Sequence, residues 1–230
     1  MYKTISFLVI FTVFALHAQG IDERVLLRAV LDNSGLKNVT VTDIAEFEEG
    51  RLVKLNLTNR EVSKDGLTEF PAGLTQFTAL RELNLRNNSI KSLPEDIGNL
   101  TELADLNLAN NKMGSIPAAF GNLTNLKKLD IRYCGLSDLP AEFGKLKALE
   151  TLQMWGNEFT ALPACVTELT ALREIYLKSN QLASLPAGIT KMHTLSYIDV
   201  NLNRLCKLTP EVEAWLRAKD RRYREFQNCQ

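Results

Sequence analysis

A leucine recurs every 23 residues through most of this 230-residue chain, and this period restricts the possible fold more than any other feature. The six units begin at Leu80, Leu103, Leu126, Leu149, Leu172 and Leu195. Apolar residues return at the fourth and sixth places of each unit, as at Leu83 and Leu85. This two-residue spacing puts both side chains on one face of a β-strand. Because one such unit cannot bury its own apolar face, successive units must stack around a shared core.

The ninth place of the units carries a polar residue where the chain has to bend after the strand. It is asparagine in five units, at Asn88, Asn111, Asn157, Asn180 and Asn203, and cysteine in the remaining one, at Cys134. A buried amide at such a bend can bond to the exposed backbone groups of the turn and of its neighbours, so stacked copies would form an asparagine ladder. A thiol is a weaker donor than an amide, and we expect the Cys134 rung to contribute less hydrogen bonding.

Proline marks the later part of the units. It follows an apolar residue at Pro94, Pro117, Pro140, Pro163 and Pro186. Proline lacks an amide hydrogen and fixes its own φ, so these segments should be extended or turning and should not be central strands.

The segments LRELNLRNNSIKSLP, LADLNLANNKMGSIP and LREIYLKSNQLASLP resemble the leucine-rich repeat family, in its 23-residue form LxxLxLxxNxLxxLPxxIGxLxx. The resemblance covers about residues 51–208, or about seven repeats. The first repeat is degenerate, with Arg60 at the ninth place and an inserted segment, Glu61 to Gly66. The resemblance to this family implies an α/β fold: a right-handed, curved solenoid with a parallel sheet on its concave side and an irregular or short-helical convex side. Family members usually present the concave side as a recognition surface.

The rest of the chain divides into an export segment and two caps. Residues 1–20 are typical of a signal peptide, with Lys3 before an apolar run and small residues at Ala18 and Gly20. We expect cleavage after Gly20, or else after Ala18; an uncleaved anchor is the alternative. The mature chain should then have no membrane span and should be secreted, periplasmic or displayed on the cell surface.

Both ends of a solenoid expose core and need a lid. At residues 21–50 we predict an N-terminal cap, with a helix from Asp22 to about Asn33 followed by an extended stretch. Val25, Leu26, Val30 and Leu31 should face the first coil, while Val39, Val41, Ile44 and Phe47 belong to the extended stretch. At residues 209–230 we predict a C-terminal cap formed by an amphipathic helix from Glu211 to Phe226.

Two cysteines, Cys206 and Cys229, bracket the predicted C-terminal helix, and in an exported protein such a pair is read as a disulfide. The segment around them also resembles the C-terminal cap of bacterial secreted leucine-rich repeat proteins. The other two, Cys134 and Cys165, should point apart, so neither a second disulfide nor a zinc site is expected.

Because the inward places are buried, any partner has to meet either the outward side chains of the strands or the convex loops. The outward places are the third, fifth, seventh and eighth, which we call the open face of the sheet. On consecutive units these places carry a diagonal row of aromatic residues, Tyr133, Trp155, Tyr176 and Tyr197. Basic, acidic and amide side chains flank the row, at Arg132, Lys178, Lys128, Asp130 and Gln153. Aromatic side chains with such neighbours are typical of interaction hot spots, although these rings could instead stiffen the sheet.

Composition narrows the function further. Lys plus Arg and Asp plus Glu each number 27, which argues against nucleic acid or an anionic membrane as partner. Two histidines and no phosphate-binding or metal-binding motif leave no expected catalytic residue, metal or cofactor. We therefore predict a non-enzymatic module that binds a protein or peptide on the open face. Carbohydrate binding through the aromatic row and a scaffolding role in a surface assembly are the alternatives.

Overall fold

The computed structural model describes residues 22–59 and 66–229. The expected signal peptide and the Arg60 position therefore lie outside the described residues. Helices α1 (Glu23–Asn33) and α2 (Val41–Ile44) come first, and α3 (Pro210–Lys219) closes the chain. Between them lie strands β1 (Ala45–Glu48), β2 (Arg51–Asn56), β3 (Glu82–Asn84), β4 (Asp105–Asn107), β5 (Lys128–Asp130), β6 (Thr151–Gln153), β7 (Glu174–Tyr176) and β8 (Tyr197–Asp199).

The strands form one sheet in chain order from β1 to β8. Strands β2 to β8 are parallel, and from β3 onward each pairs with the next at a register of 23 residues, as Leu83 with Leu106. The predicted α/β leucine-rich repeat solenoid is confirmed. On the opposite side, each unit proline caps a short 3-10 helix with a φ between −57° and −73°. Proline favours this φ without strain.

A single apolar core runs through all coils. The leucines at the first place and the apolar residues at the fourth and sixth places are 2% exposed or less, except Ile198 at 3%. Aromatic rings from the 3-10 helices fill the space behind the sheet, and those of Phe120 and Phe143 stack with centroids 6.0 Å apart. Since each coil buries its apolar side chains mainly against its two neighbours, the units stabilise one another in series.

The N-terminal cap differs from its prediction in two places. Helix α1 begins after Asp22, whose carboxylate accepts the Arg24 amide hydrogen at 2.8 Å, but Val25 is 59% exposed and does not face the first coil. Leu27 is buried in its stead. The predicted extended stretch contains α2 and then β1, which pairs antiparallel with β2 and covers the sheet edge. The buried Glu23 carboxylate also accepts the Leu52 amide hydrogen at 2.6 Å.

Hydrogen bonds of the asparagine ladder join neighbouring coils. The Asn157 side-chain amide donates to the strand-end carbonyl of its own coil, Met154, and to that of the preceding coil, Ile131, both at 2.9 Å. Its oxygen accepts the Leu136 amide hydrogen at 3.1 Å. The same pattern occurs at Asn88, Asn111, Asn180 and Asn203. Each such residue is therefore a clamp between two successive strands.

The Cys134 rung keeps only part of this pattern. Its thiol lies 3.2 Å from the Leu108 carbonyl oxygen of the preceding coil. Burial raises the pKa of Cys134 to about 12, so the thiol is protonated at neutral pH and can donate. A thiol has one hydrogen and no carbonyl oxygen, so it cannot reproduce the amide's other bonds.

The C-terminal cap imitates one more coil. Helix α3 ends at Lys219 and not at Phe226, and a separate 3-10 turn covers Tyr223–Phe226. After this turn Gln227 takes the place of a ladder asparagine: its amide donates to the Val200 carbonyl at 3.0 Å, and its oxygen accepts the Leu205 amide hydrogen at 3.1 Å. A disulfide joins Cys206 to Cys229 and fixes this segment on the last coil, while Cys134 and Cys165 are free and buried.

Replacing the odd rung should stabilise the protein. We expect Cys134→Asn to raise the free energy of unfolding by about 1 kcal/mol, because an amide here would add hydrogen bonds of the kind made by Asn111 and Asn157. Asn157→Ala, which removes the side-chain amide at the next rung, should lower it by about 2 kcal/mol, because buried backbone groups lose their partners. Urea unfolding measures both, and a destabilised Cys134→Asn variant would show that thiol packing outweighs the hydrogen bonds.

Opening the disulfide should loosen the C-terminal lid. The bond spans 23 residues, and its reduction should lower the free energy of unfolding by about 3 kcal/mol on the loop-entropy model. Unfolding with and without a dithiol reductant measures this, and the Cys206→Ser/Cys229→Ser variant should be insensitive to the reductant. Identical curves for the oxidised and reduced wild-type chain would contradict the prediction.

Candidate recognition surface

The four predicted aromatic residues all lie on the open face. Tyr133 and Tyr197 are 49% and 46% exposed, and Trp155 and Tyr176 are half-buried. The core uses none of them, so each presents ring area to solvent. The row is divided into two ring pairs, Tyr133 with Trp155 and Tyr176 with Tyr197.

Backbone features of two neighbouring coils keep the two rings of the first pair in contact. The rings of Tyr133 and Trp155 meet edge to face, with centroids 4.8 Å apart. Tyr133 adopts a positive φ of 52°, and its ring lies over Gly156, where an added Cβ would come within 2.3 Å of the ring. Glycine at 156 therefore leaves the space that the tyrosine ring occupies.

Sequence reasoning missed that the eighth place is left-handed in every unit. Its φ values are positive at Asn87, Asn110, Tyr133, Gly156, Ser179 and Leu202. Asparagine and glycine enter this region readily, whereas tyrosine and leucine do so at a cost of about 1 kcal/mol. Asparagine at two eighth places, Asn87 and Asn110, was the sequence feature that could have predicted this, because asparagine is enriched in the left-handed conformation.

A salt bridge fixes the cation beside the first pair. The Asp130 carboxylate accepts hydrogen bonds from Nε and Nη2 of Arg132, at 2.7 and 2.5 Å. The guanidinium is held over the Trp155 ring, 4.9 Å from its centroid. Asp130 thus positions Arg132 and is itself largely covered, with its side chain 13% exposed.

The second pair has a different electrostatic setting. The rings of Tyr176 and Tyr197 are tilted, with centroids 5.1 Å apart, and the Tyr176 hydroxyl donates to the Glu174 carboxylate at 3.0 Å. Burial raises the pKa of both phenols, and the nearby carboxylates Glu174 and Asp199 raise it further. Both hydroxyls therefore stay protonated at neutral pH.

The remaining predicted residues surround these pairs. Lys128 and Lys178 are exposed on the open face. Gln153 is half-buried and lies between Asp130 and Tyr176 in the strand register. The nine predicted residues thus occupy one continuous area across β5 to β8 and the turns that follow these strands.

A cleft of about 520 Å³ lies at the other end of the open face, and the sequence did not reveal it because its wall is the N-terminal cap. Its charged lining residues are Asp43, Glu46, Lys54, Glu82 and Asp105. Lys54 Nζ lies 3.3 Å from Glu82 and 3.4 Å from Glu46. Partial burial raises the pKa of Asp105, and the opposing effect of the Lys128 charge is smaller.

Two features are absent from the part of the chain that the structure describes. Residues 22–59 and 66–229 contain no group of three or more histidine, cysteine, aspartate or glutamate side chains placed to hold a metal ion. In the same ranges, none of the helices has the length and apolar character needed to cross a bilayer.

Two family models match the repeats found above. One, described as a leucine-rich repeat region, matches residues 119–212, and the other, described as leucine rich repeat, matches residues 78–136. Together they span more than half of the chain. The chain belongs to the leucine-rich repeat family. No curated protein sequence matches it.

Solved leucine-rich repeat structures resemble it. A leucine-rich repeat protein of Leptospira interrogans is 31% identical with a TM-score of 0.62, over 67% of this chain and 39% of that one. The ectodomain of the Arabidopsis thaliana receptor kinase GASSHO1/SCHENGEN3, in complex with Casparian strip integrity factor 2, is 32% identical with a TM-score of 0.60. That match covers 70% of this chain and 20% of the ectodomain chain. This chain thus spans less than half the length of either.

The seat of Tyr133 can be tested with a pair of glycine substitutions. Gly156→Ala should displace the Tyr133 ring and break its contact with Trp155, because the new Cβ would occupy the ring's position. Gly135→Ala is the matched control: Gly135 has a φ of 69° against 70° at Gly156, but nothing lies within 4 Å of its Cβ position. Both should lose about 1 kcal/mol to the left-handed φ. Only Gly156→Ala should abolish the nuclear Overhauser contacts between the two rings. If these contacts persist in the Gly156→Ala variant, the position assigned to the Tyr133 ring over Gly156 is wrong.

Proposed function

We propose that this chain is a non-enzymatic, exported recognition module that binds a protein or peptide along the open face of its sheet. The observation that carries the proposal is the pair of aromatic clusters on that face, which the core does not use. Exposed aromatic side chains with an ordered arginine are the residues that most often dominate binding energy at protein interfaces.

The geometry of the first pair supports a preformed site. Asp130 holds Arg132, Arg132 covers Trp155, and Gly156 gives Tyr133 its place beside that ring. Side chains already fixed in one arrangement lose little conformational entropy on binding, so less of the interaction energy is spent on ordering them.

A polysaccharide is the less favoured ligand class. Sugars stack on free faces of aromatic rings, but at the first pair the Arg132 guanidinium already lies over the Trp155 ring and the Tyr133 ring contacts it as well. Among the described residues, only the second pair has no cation over either of its rings. A purely scaffolding role would leave the ordered arginine and the exposed rings without a use. Protein or peptide binding accounts for both.

Export is supported by two features. The apolar segment after Lys3 has the composition of a signal peptide, and the disulfide between Cys206 and Cys229 is of a kind that persists in oxidising compartments. The similar plant structure is likewise that of an ectodomain, in complex with Casparian strip integrity factor 2.

Affinity capture with the purified chain tests the proposal. We expect the wild-type chain to retain a specific set of secreted or surface proteins and the Trp155→Ala/Tyr176→Ala variant to bind them at least tenfold more weakly. Lys191→Ala, an exposed change on the opposite side of the coil, is the control and should bind normally. Circular dichroism confirms that all three are folded.

Three outcomes would contradict the proposal. Equal retention by the aromatic variant and the wild type would make the rings structural. Binding on a glycan array that is lost with Trp155→Ala, with no protein retained, would favour the carbohydrate alternative. Cleavage of, or group transfer to, a retained protein would contradict the non-enzymatic assignment.

A further inference from the structure

Two tyrosines and two carboxylates alternate on neighbouring strands at the C-terminal end of the open face. In the register of β7 and β8, Glu174 lies beside Tyr197 and Tyr176 lies beside Asp199. Each tyrosine is thus diagonal to the other, and so is each carboxylate. The ring centroids are 5.1 Å apart, and the Tyr176 hydroxyl is bonded to Glu174. All four side chains are at least partly open to solvent.

Elsewhere on the same face, a cation is already held by a carboxylate and an aromatic ring together. At the first ring pair, a carboxylate (Asp130) holds a guanidinium (Arg132) over an aromatic ring (Trp155). The cation is attracted both by the negative charge and by the face of the ring. The cluster of Glu174, Tyr176, Tyr197 and Asp199 has the carboxylates and the rings, but it has no guanidinium of its own. In the part of the chain that the structure describes, no salt bridge involves Glu174 or Asp199, and no cation lies over either ring.

Neighbouring groups reinforce the negative character of this cluster. Asp220 from the C-terminal cap adds to the effect of Glu174 and Asp199 in raising the pKa of Tyr197. Lys178 follows Tyr176 by two residues, just beyond the end of β7. Its carbonyl accepts the Gly156 amide hydrogen, which places Lys178 beside Trp155 of the preceding coil. It forms no salt bridge with either carboxylate among the described residues. An anionic ligand would meet repulsion here, whereas a cation would meet two carboxylates and two rings.

We propose that the cluster of Glu174, Tyr176, Tyr197 and Asp199 binds an arginine side chain of the partner. The inference rests on the proposed function and specifies the chemistry of the bound segment. A guanidinium suits the site better than an ammonium, because its plane can stack on a tyrosine ring while its N–H groups bond to carboxylates on either side. The two ring pairs of the open face then differ. At the first pair the cation is Arg132 of this chain, and at the second pair the cation comes from the partner.

Two synthetic peptides test the site directly. The ¹⁵N-labelled chain is titrated with acetyl-Gly-Gly-Arg-Gly-Gly-amide and with the same peptide carrying citrulline, the neutral isostere of arginine. We expect the arginine peptide to shift the amide resonances of β7 and β8 and to bind at least fivefold more tightly than the citrulline peptide. Equal binding of the two peptides, or shifts centred away from these strands, would overturn the proposal.

Variants connect the effect to the two carboxylates. Glu174→Gln/Asp199→Asn keeps the side-chain shapes and should remove the preference for arginine. Glu82→Gln, a carboxylate change at the third place of a coil without tyrosines, is the control and should keep that preference. The proposal is refuted if the double variant still prefers arginine.

The same double variant separates this inference from the proposed function. If retained proteins are lost with Trp155→Ala/Tyr176→Ala but kept at full affinity with Glu174→Gln/Asp199→Asn, recognition on the open face stands and the arginine site is wrong. If neither variant changes retention, both proposals fail.

Discussion

Hydrogen bonds between buried asparagine amides and strand-end carbonyls set the geometry on which the rest of the molecule depends. Each amide bonds to its own coil and to the coil before it, as Asn157 does with Met154 and Ile131. Strands β3 to β8 are only three residues long and could not fix a register by themselves. Because the ladder holds each coil at the same offset from the last, the outward places of all coils line up in rows, and side chains distant in sequence become neighbours.

The repeated part of the fold could be predicted from the sequence because each structural role recurs at the same place in six units. Periodicity identified the strands, the buried bends and the proline-capped turns. The caps occur once each, so no repetition could correct an error there. The sequence around Val41 has the composition of a strand but forms α2, since the chain must turn before β1 can reach the sheet edge. The C-terminal helix stops at Lys219, so that the chain can turn back and place Gln227 on the last coil.

The sequence predicted which aromatic residues share the candidate site, but it did not predict the contacts between them. Counting places located Tyr133, Trp155, Tyr176 and Tyr197 on one face, but it treated them as one continuous row. Their division into two pairs depends on contacts between coils, such as the Tyr133 ring above Gly156, which a single unit does not reveal. The carboxylates Glu174 and Asp199 were equally visible in the sequence. They gain significance only through the register that sets them beside Tyr197 and Tyr176.

Gln227 shows how the stack is terminated. Gln227 bonds to generic features of the final coil, a strand-end carbonyl and a backbone amide, whereas the disulfide to Cys206 is particular to that coil. A unit inserted anywhere before the final coil leaves all of these contacts in place. An in-frame duplication of one 23-residue unit would therefore widen the sheet by about 4.8 Å and leave both lids fitted. Evolution can in this way lengthen or shorten the contact surface while the closing machinery stays the same.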